Sequence, residues 1–283
     1  MSRQPVLFVS HGAPTAALDA GSFAAARHDF GDSLSGEARP AAIAVISAHW
    51  QVRGLVGVTG AARPETIHDF SGFPEPLYRL RYDVPGEPRL AARIAATLSG
   101  AGVPAVVSQV RGLDHGAWVP LRLALPGASI PVVQVALPAV PPEALVAFGE
   151  ALRPLRDEGV LLVASGGLVH NLGDLDFAHP DAPPADWAVD FDRWAWERAA
   201  LQEREALARW QRLAPGAQRA HPQSDHFDPL LVAVGAAWPG ERAETLFDRF
   251  AYSTLSLRTF VFRAALPQPV AVAVEPQPQG AAP

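Results

Sequence analysis

Nine histidines are the residues best able to do chemistry in this 283-residue chain, and three of them share one local setting. His11 follows the apolar run Pro5 to Ser10, His49 follows Ala42 to Ala48, and His170 follows Val160 to Ser165 after the bend Gly166-Gly167. If these runs are parallel strands, their carboxyl ends share a rim of the sheet, which is where ligands bind in open α/β folds. Imidazoles far apart in sequence would then converge. Gly12 and Pro14 hold a tight turn after His11, and the small residues let the backbone approach whatever the ring holds. A strand-end His that caps a neighbouring carbonyl leaves the same local pattern. Two such residues in a chain without Cys tilt the reading toward a metal held by nitrogen and oxygen.

The other histidines divide by context. His115 lies between glycines in Gly112-Leu113-Asp114-His115-Gly116-Ala117-Trp118, where a turn His satisfied by backbone is an equal reading, and adjacency does not make Asp114 its orienting partner. His221 and His226 flank Pro222-Gln223-Ser224-Asp225; five positions apart on a regular helix they would face different ways, and His226, at the start of an apolar helical run, is the better candidate. His68 sits in an aromatic loop that either covers a pocket or is a packed connection, and His28 and His179 are expected at the surface.

Composition removes several chemistries. All 23 basic residues are Arg, so Schiff-base catalysis and a phosphate-loop lysine are excluded, and the absence of Cys excludes thiolate nucleophiles, disulfides and iron–sulfur clusters. Gly-x-Ser-x-Gly, Gly-x-Gly-x-x-Gly after the first strand, and His-Glu-x-x-His are all missing. A net charge of −6 argues against a nucleic-acid partner. What remains is a mononuclear site built mostly of His, suited to Zn²⁺ or non-haem Fe²⁺.

Pro5–Ser10, Ala42–Ala48, Pro104–Val110, Pro131–Leu137 and Val160–Ser165 are continuous Val/Ile/Leu-rich runs, the pattern of strands covered on both faces. Helical spacing predicts helices over Pro88–Ser99, Pro142–Arg156 and about Asp228–Ala237, and one long helix or two in tandem over Ala185–Leu213. Thr245–Arg263 reads as strand. Strand alternating with helix predicts a single α/β domain, residues 1–266, with a central, largely parallel or mixed sheet flanked by helices. Residues 267–283 form a Pro-rich tail expected to be disordered or to lie over the surface. The apolar run at the start is too short for a signal peptide and no run reaches the ~20 residues of a membrane helix. A cytoplasmic protein without membrane contacts is expected.

Six motifs taken together resemble a known family. They are Ser10-His11-Gly12-Ala13-Pro14; Ser47-Ala48-His49-Trp50; His68-Asp69-Phe70 with Gly72-Phe73-Pro74 and Leu77-Tyr78; Asp114-His115-Gly116-Ala117-Trp118; Ser165-Gly166-Gly167 with His170-Asn171-Leu172; and His221-Pro222 with His226 and Pro229-Leu230. Their order and content are similar to the DODA-type (4,5-DOPA extradiol dioxygenase-like) branch of the LigB-type class III extradiol ring-cleavage dioxygenases, over Pro5 to about Phe262.

The resemblance implies an α/β domain, one divalent metal, Fe²⁺ for activity with Zn²⁺ possible in the isolated protein, and opening of a catechol ring by O₂. It implies His11, His49 and His226 as metal ligands, His170 as the acid/base residue, close enough to the metal to ligate it at rest, and His115 as a second active-site His contacting substrate or oxygen. Partners would be a small catechol and O₂, in a monomer or small homo-oligomer. Ala13 stands where Ser is common and Gly167 where a larger residue often follows Ser-Gly. His226 replaces the Glu of many LigB-type enzymes, so three neutral ligands leave the site one charge more positive, favouring an anionic substrate and admitting zinc. A zinc hydrolase with a three-His site, or a metal-binding protein of the same fold without turnover, are the alternatives.

Overall fold

The computed structural model describes residues 3–18 and 21–264. The predicted tail, 267–283, lies outside the described residues. Eight strands form one mixed sheet and two short ones a separate ribbon. In chain order the strands are β1 (Val6–Ser10), β2 (Ala42–Val52), β3 (Val56–Thr59), β4 (Ala105–Ser108), β5 (Val132–Pro138), β6 (Val160–Gly166), β7 (Arg242–Phe247), β8 (Phe250–Ala251), β9 (Leu255–Ser256) and β10 (Thr259–Arg263). The large sheet runs β4-β3-β5-β2-β6-β1-β10-β7, and β8 pairs with β9. Its centre, β5-β2-β6-β1, is parallel. Antiparallel partners close both sides, β3 against β5 and β10 against β1.

The central strands read as unbroken apolar runs because both faces are covered. On β1, Val6 and Phe8 pack into one core and Leu7 and Val9 into the other. The first core includes Leu145 and Phe148 of the helix Pro142–Leu152, Phe191 of Asp186–Ala200 and Leu230 to Val234 of Asp228–Ala236. The second includes Phe30 of Ser22–Ser33 and Trp118 and Leu121 of His115–Ala124. Each side chain points opposite to its neighbour along the strand, so a run that feeds two cores must be apolar at every position.

Several boundaries differ from those read in the sequence. The helix over Pro142–Leu152 passes into a 3-10 turn, Arg153–Glu158. The segment Ala185–Leu213 holds one long helix, Asp186–Ala200, and two short ones, Arg204–Ala208 and Trp210–Leu213, with Gln202 between them at φ 53°. Thr245–Arg263 is not one strand but the end of β7, the β8–β9 ribbon and β10. Gly112–Trp118, read as a loop, contains a helix start: Asp114 caps His115–Ala124 by accepting the Ala117 N–H at 3.2 Å. The short strand β3 lacks the unbroken apolar run of the others because Gly57 stands within it; a Cβ there would lie 2.5 Å from the Trp50 ring.

Candidate functional site

The parallel strands end level with one another. Val9 of β1 pairs with Ser165 of β6, and Ser165 with Ser47 of β2, so His11 emerges two residues beyond the level that carries these serines. The His11 N–H donates to the Gly166 carbonyl at 3.0 Å, which ties the first turn to β6. His49 arrives by a different device. β2 is in register with β5 up to Ser47, then resumes at Gln51, and the irregularity takes Ala48-His49-Trp50 out of the ladder. His226 is carried to the rim by the chain entering the helix Asp228–Ala236, whose approach Gly166 permits. A Cβ on Gly166 would lie 2.2 Å from the His226 carbonyl oxygen, and that oxygen accepts the Gly167 N–H at 2.9 Å.

His11, His49 and His226 thereby offer ring nitrogens that lie within 4.8 Å of one another. The His11 and His49 Nε2 atoms are 3.0 Å apart. Two neutral imidazoles can share at most one proton at that distance, and a cation shared by both removes the need for one. Ser165 sets the His11 tautomer. Its hydroxyl donates to the Gly116 carbonyl at 2.5 Å, so its oxygen receives the Nδ1 proton of His11 at 2.9 Å and leaves Nε2 as a lone pair. His226 is buried; Asp225 Oδ2 lies 3.0 Å from its Nδ1, and its Nε2 has no hydrogen-bond partner among the described residues. An orphaned buried nitrogen facing two others fits a divalent ion with nitrogen ligands.

Two more imidazoles flank this group. The His170 ring stacks on His226 with centroids 3.5 Å apart and planes 3° from parallel. The His115 ring lies 3.9 Å from that of His49. Asp69, whose role the sequence did not disclose, grips His115 with both oxygens: Oδ1 accepts the backbone N–H at 2.8 Å and Oδ2 the Nδ1 proton at 3.0 Å. The same Oδ2 is 3.8 Å from His49 Nδ1. Asp69 reaches this place because Thr66 and Leu113 form a bridge, with the Ile67 N–H donating to the Leu113 carbonyl at 2.8 Å. Asp114, by contrast, is fully buried, caps its helix and holds Gln134.

Burial and mutual proximity keep His11, His49 and His170 neutral. Burial first, then the neighbouring His115 and His226, bring His49 down to about 2; burial and the surrounding histidines hold His11 well below its usual value. Burial, with His226 and His221 beside it, lowers His170 to about 3. Burial alone would raise Asp225, but contact with His226 overrides it and brings the carboxyl down to about 2. The rings sit at the floor of a cleft of about 740 Å³ walled by Phe70, Phe73, Leu175, Phe177 and Tyr252.

The remaining histidines stand apart from this floor. His221 is buried among Phe191, Trp210 and Phe227 and donates from Nε2 to the Leu168 carbonyl at 2.8 Å, a core residue that fixes the chain ahead of His170. His68 donates to the Leu80 carbonyl at 3.1 Å and packs on Phe70 and Trp118, holding the loop that supplies Asp69 and the aromatic wall. His28 and His179 are exposed. No helix among the described residues is long and apolar enough to cross a membrane.

The family model described as the catalytic LigB subunit of aromatic ring-opening dioxygenase matches residues 5–262. The chain is 38% identical over 250 residues to a 4,5-DOPA dioxygenase extradiol of Escherichia coli K12, covering 87% of this chain and 89% of that one. It is 37% identical over 257 residues to the protein of the same name from Beta vulgaris, covering 90% and 95%. A crystal structure of an uncharacterised Escherichia coli K12 protein superposes with a TM-score of 0.77 at 31% identity, covering 92% of this chain and 99% of that one. The chain belongs to the LigB family of aromatic ring-opening dioxygenases, on its 4,5-DOPA extradiol branch.

Proposed function

We propose that this protein opens a catecholic ring with O₂ as a non-haem extradiol dioxygenase, with His11, His49 and His226 holding one divalent metal, Fe²⁺ in the active form. The observation that carries the reading is the convergence of three imidazoles, buried or half-buried, one with its Nε2 unpartnered among the described residues, at the floor of an aromatic-walled cleft. When bound, the metal supplies a Lewis acid that acidifies catechol hydroxyls and a redox centre for O₂.

The chain's own groups divide the remaining work. His170, neutral at physiological pH, is in the proton-accepting form, and an anionic oxygen beside it raises its basicity. His115 has its Nδ1 proton committed to Asp69, which leaves Nε2 as the free atom of the ring. With a proton at Nε2 the ring becomes an imidazolium beside a carboxylate, able to stabilise negative oxygen. Phe70 and Phe73 give an aromatic ring apolar surface to lie against and exclude water from it. The reading takes in a small-molecule catechol and O₂ as partners, a monomer or small homo-oligomer, and a cytoplasmic location.

The test is anaerobic purification with elemental analysis, followed by oxygen-electrode assay with Fe²⁺ and a set of catechols. Oxygen uptake with a yellow ring-opened product is expected. Three neutral imidazoles are also the donor set of zinc sites that activate water, so ester hydrolysis by the Zn²⁺ form without oxygen uptake in the Fe²⁺ form would replace the dioxygenase reading with a hydrolase.

A further inference from the structure

The ribbon β8–β9 carries a strain that the fold does not call for. Tyr252 and Ser253, at its tip, both have positive φ, 53° and 67°. Two successive left-handed residues in a tight hairpin are ordinarily Asn-Gly, and a bulky aromatic side chain there is out of place. The conformation is held from outside the ribbon. The Tyr252 N–H donates to the Pro180 carbonyl at 2.8 Å, the Tyr252 carbonyl accepts the Asp176 N–H at 3.0 Å, and the Ser253 carbonyl accepts the Ala185 N–H at 2.9 Å. At its base the ribbon is fastened by Ser256, whose hydroxyl donates to Asp192 at 2.6 Å. Backbone strain that the surroundings hold in place in this way clusters where proteins clamp ligands.

The strained tip gives Tyr252 a place in the cleft. Its ring lines the cleft 5.5 Å from that of Phe177, and Leu255 of the same ribbon, which is buried, lines it as well. Phe177 and Leu172 keep 69% and 60% of their surface exposed, which puts Tyr252 at the mouth, whereas Phe70, 5.6 Å from the His115 ring, stands at the floor. A cleft of about 740 Å³ encloses a ligand larger than a single ring, so a catechol seated on the histidines leaves the outer part to whatever the ring carries. We infer that Tyr252 is a specificity-determining residue, whose ring packs along the substituent of the bound catechol and selects substituted catechols over the bare ring. The inference rests on the catechol reading of the cleft. A short chain laid against an aromatic face is removed from water, and a few buried methylenes correspond to a change in affinity of about 10-fold or more.

Catechol and propylcatechol share the two hydroxyls and differ only in the chain. Affinity for each is measured by calorimetry on the Zn²⁺-loaded protein, with thermal melts alongside, for the wild type and for Tyr252→Asn, which removes the ring and brings a side chain suited to positive φ. The wild type should bind propylcatechol about 10-fold more tightly than catechol, and Tyr252→Asn should shrink that ratio to about 3-fold or less, with the Tm unchanged or raised. In the Fe²⁺-loaded protein the loss should appear in the KM for propylcatechol rather than in kcat. A wild-type ratio near one, or a ratio that Tyr252→Asn leaves unchanged, overturns the inference, and so does an equal loss of affinity for both compounds with a lowered Tm, which would make Tyr252 a structural part of the ribbon. The expected change of ratio without oxygen uptake from either compound supports the inference and sinks the ring-opening reading. No affinity of the wild type for either compound overturns both.

Discussion

Asp69 holds His115 at two points, its backbone N–H at 2.8 Å and its Nδ1 at 3.0 Å, across 46 positions of sequence. The double grip fixes both where the ring stands and which nitrogen carries the proton. His115 outweighs burial in bringing the Asp69 carboxyl below its ordinary value, so the carboxylate is ionised throughout the neutral range. Asp69→Asn keeps one acceptor and removes the charge. Metal content should be retained and kcat should fall about 10- to 100-fold, the usual cost of losing a carboxylate that orients an active-site His. Elemental analysis beside oxygen-uptake kinetics checks it; wild-type kcat in this variant would remove the orienting role.

His226 and His170 stack face to face, yet their replacement should have opposite consequences. His226→Ala takes away one of three converging nitrogens and should leave the purified protein with little bound metal. His170→Ala should keep metal content nearly intact while ring cleavage collapses, by about 100-fold or more for a lost acid/base group. Metal analysis of the two variants in parallel separates a ligand from a proton carrier. If His170→Ala also loses the ion, His170 is a fourth ligand and the acid/base role passes to His115.

The sheet and the strand-end histidines could be read from the sequence because their causes are local. Unbroken apolar runs signal doubly covered strands, and His11, His49 and His170 each follow one. Other elements depend on distant partners. The helix Ser22–Ser33 hides its apolar period because a buried position is filled by Arg27, whose guanidinium donates to the Ser10 carbonyl at 2.6 Å and stacks on Phe23. Asp69 looks like any loop acid until the Thr66–Leu113 bridge brings it to His115. His221 and His226 have similar surroundings in sequence, but the turn through Pro222–Asp225 sends one into the aromatic core and the other to the cleft. The Asp114 cap was the one local signal that His115 begins a helix.

Gly166 and Gly167 are adjacent but should respond differently to a methyl group. At Gly166 a Cβ would lie 2.2 Å from the His226 carbonyl oxygen, a backbone atom that cannot move without carrying its ring along. Gly166→Ala should cost about 1–3 kcal/mol of stability and weaken metal retention, because overpacking displaces a ligand. At Gly167 the nearest atom is 3.8 Å away, in ordinary contact. Gly167→Ala should keep both stability and metal. Thermal melts and metal titrations of the pair check this, and equal behaviour of the two variants contradicts it.

The neutral histidines make the metal-free protein sensitive to acid. His49, His170 and His221 are lowered to about 2, 3 and 4, and His11 also lies well below 6.5, chiefly through burial. In the unfolded chain each would take up a proton near 6.5. Between that value and about 4 the unfolded state therefore binds more protons, and stability falls as pH falls, by up to ~1.4 kcal/mol per pH unit for each ring. Asp228, raised to about 7 by burial, works the other way, since the folded state holds its proton and gains stability as pH falls through the same window; Asp114, also raised by burial, acts in the same direction. Four rings against two carboxyls leave a net loss. The Tm of chelator-treated protein should drop steeply between about pH 7 and about pH 5; a flat or rising Tm across that range would mean the rings are already protonated in the fold, and that the cluster is not the neutral ligand set a divalent metal requires.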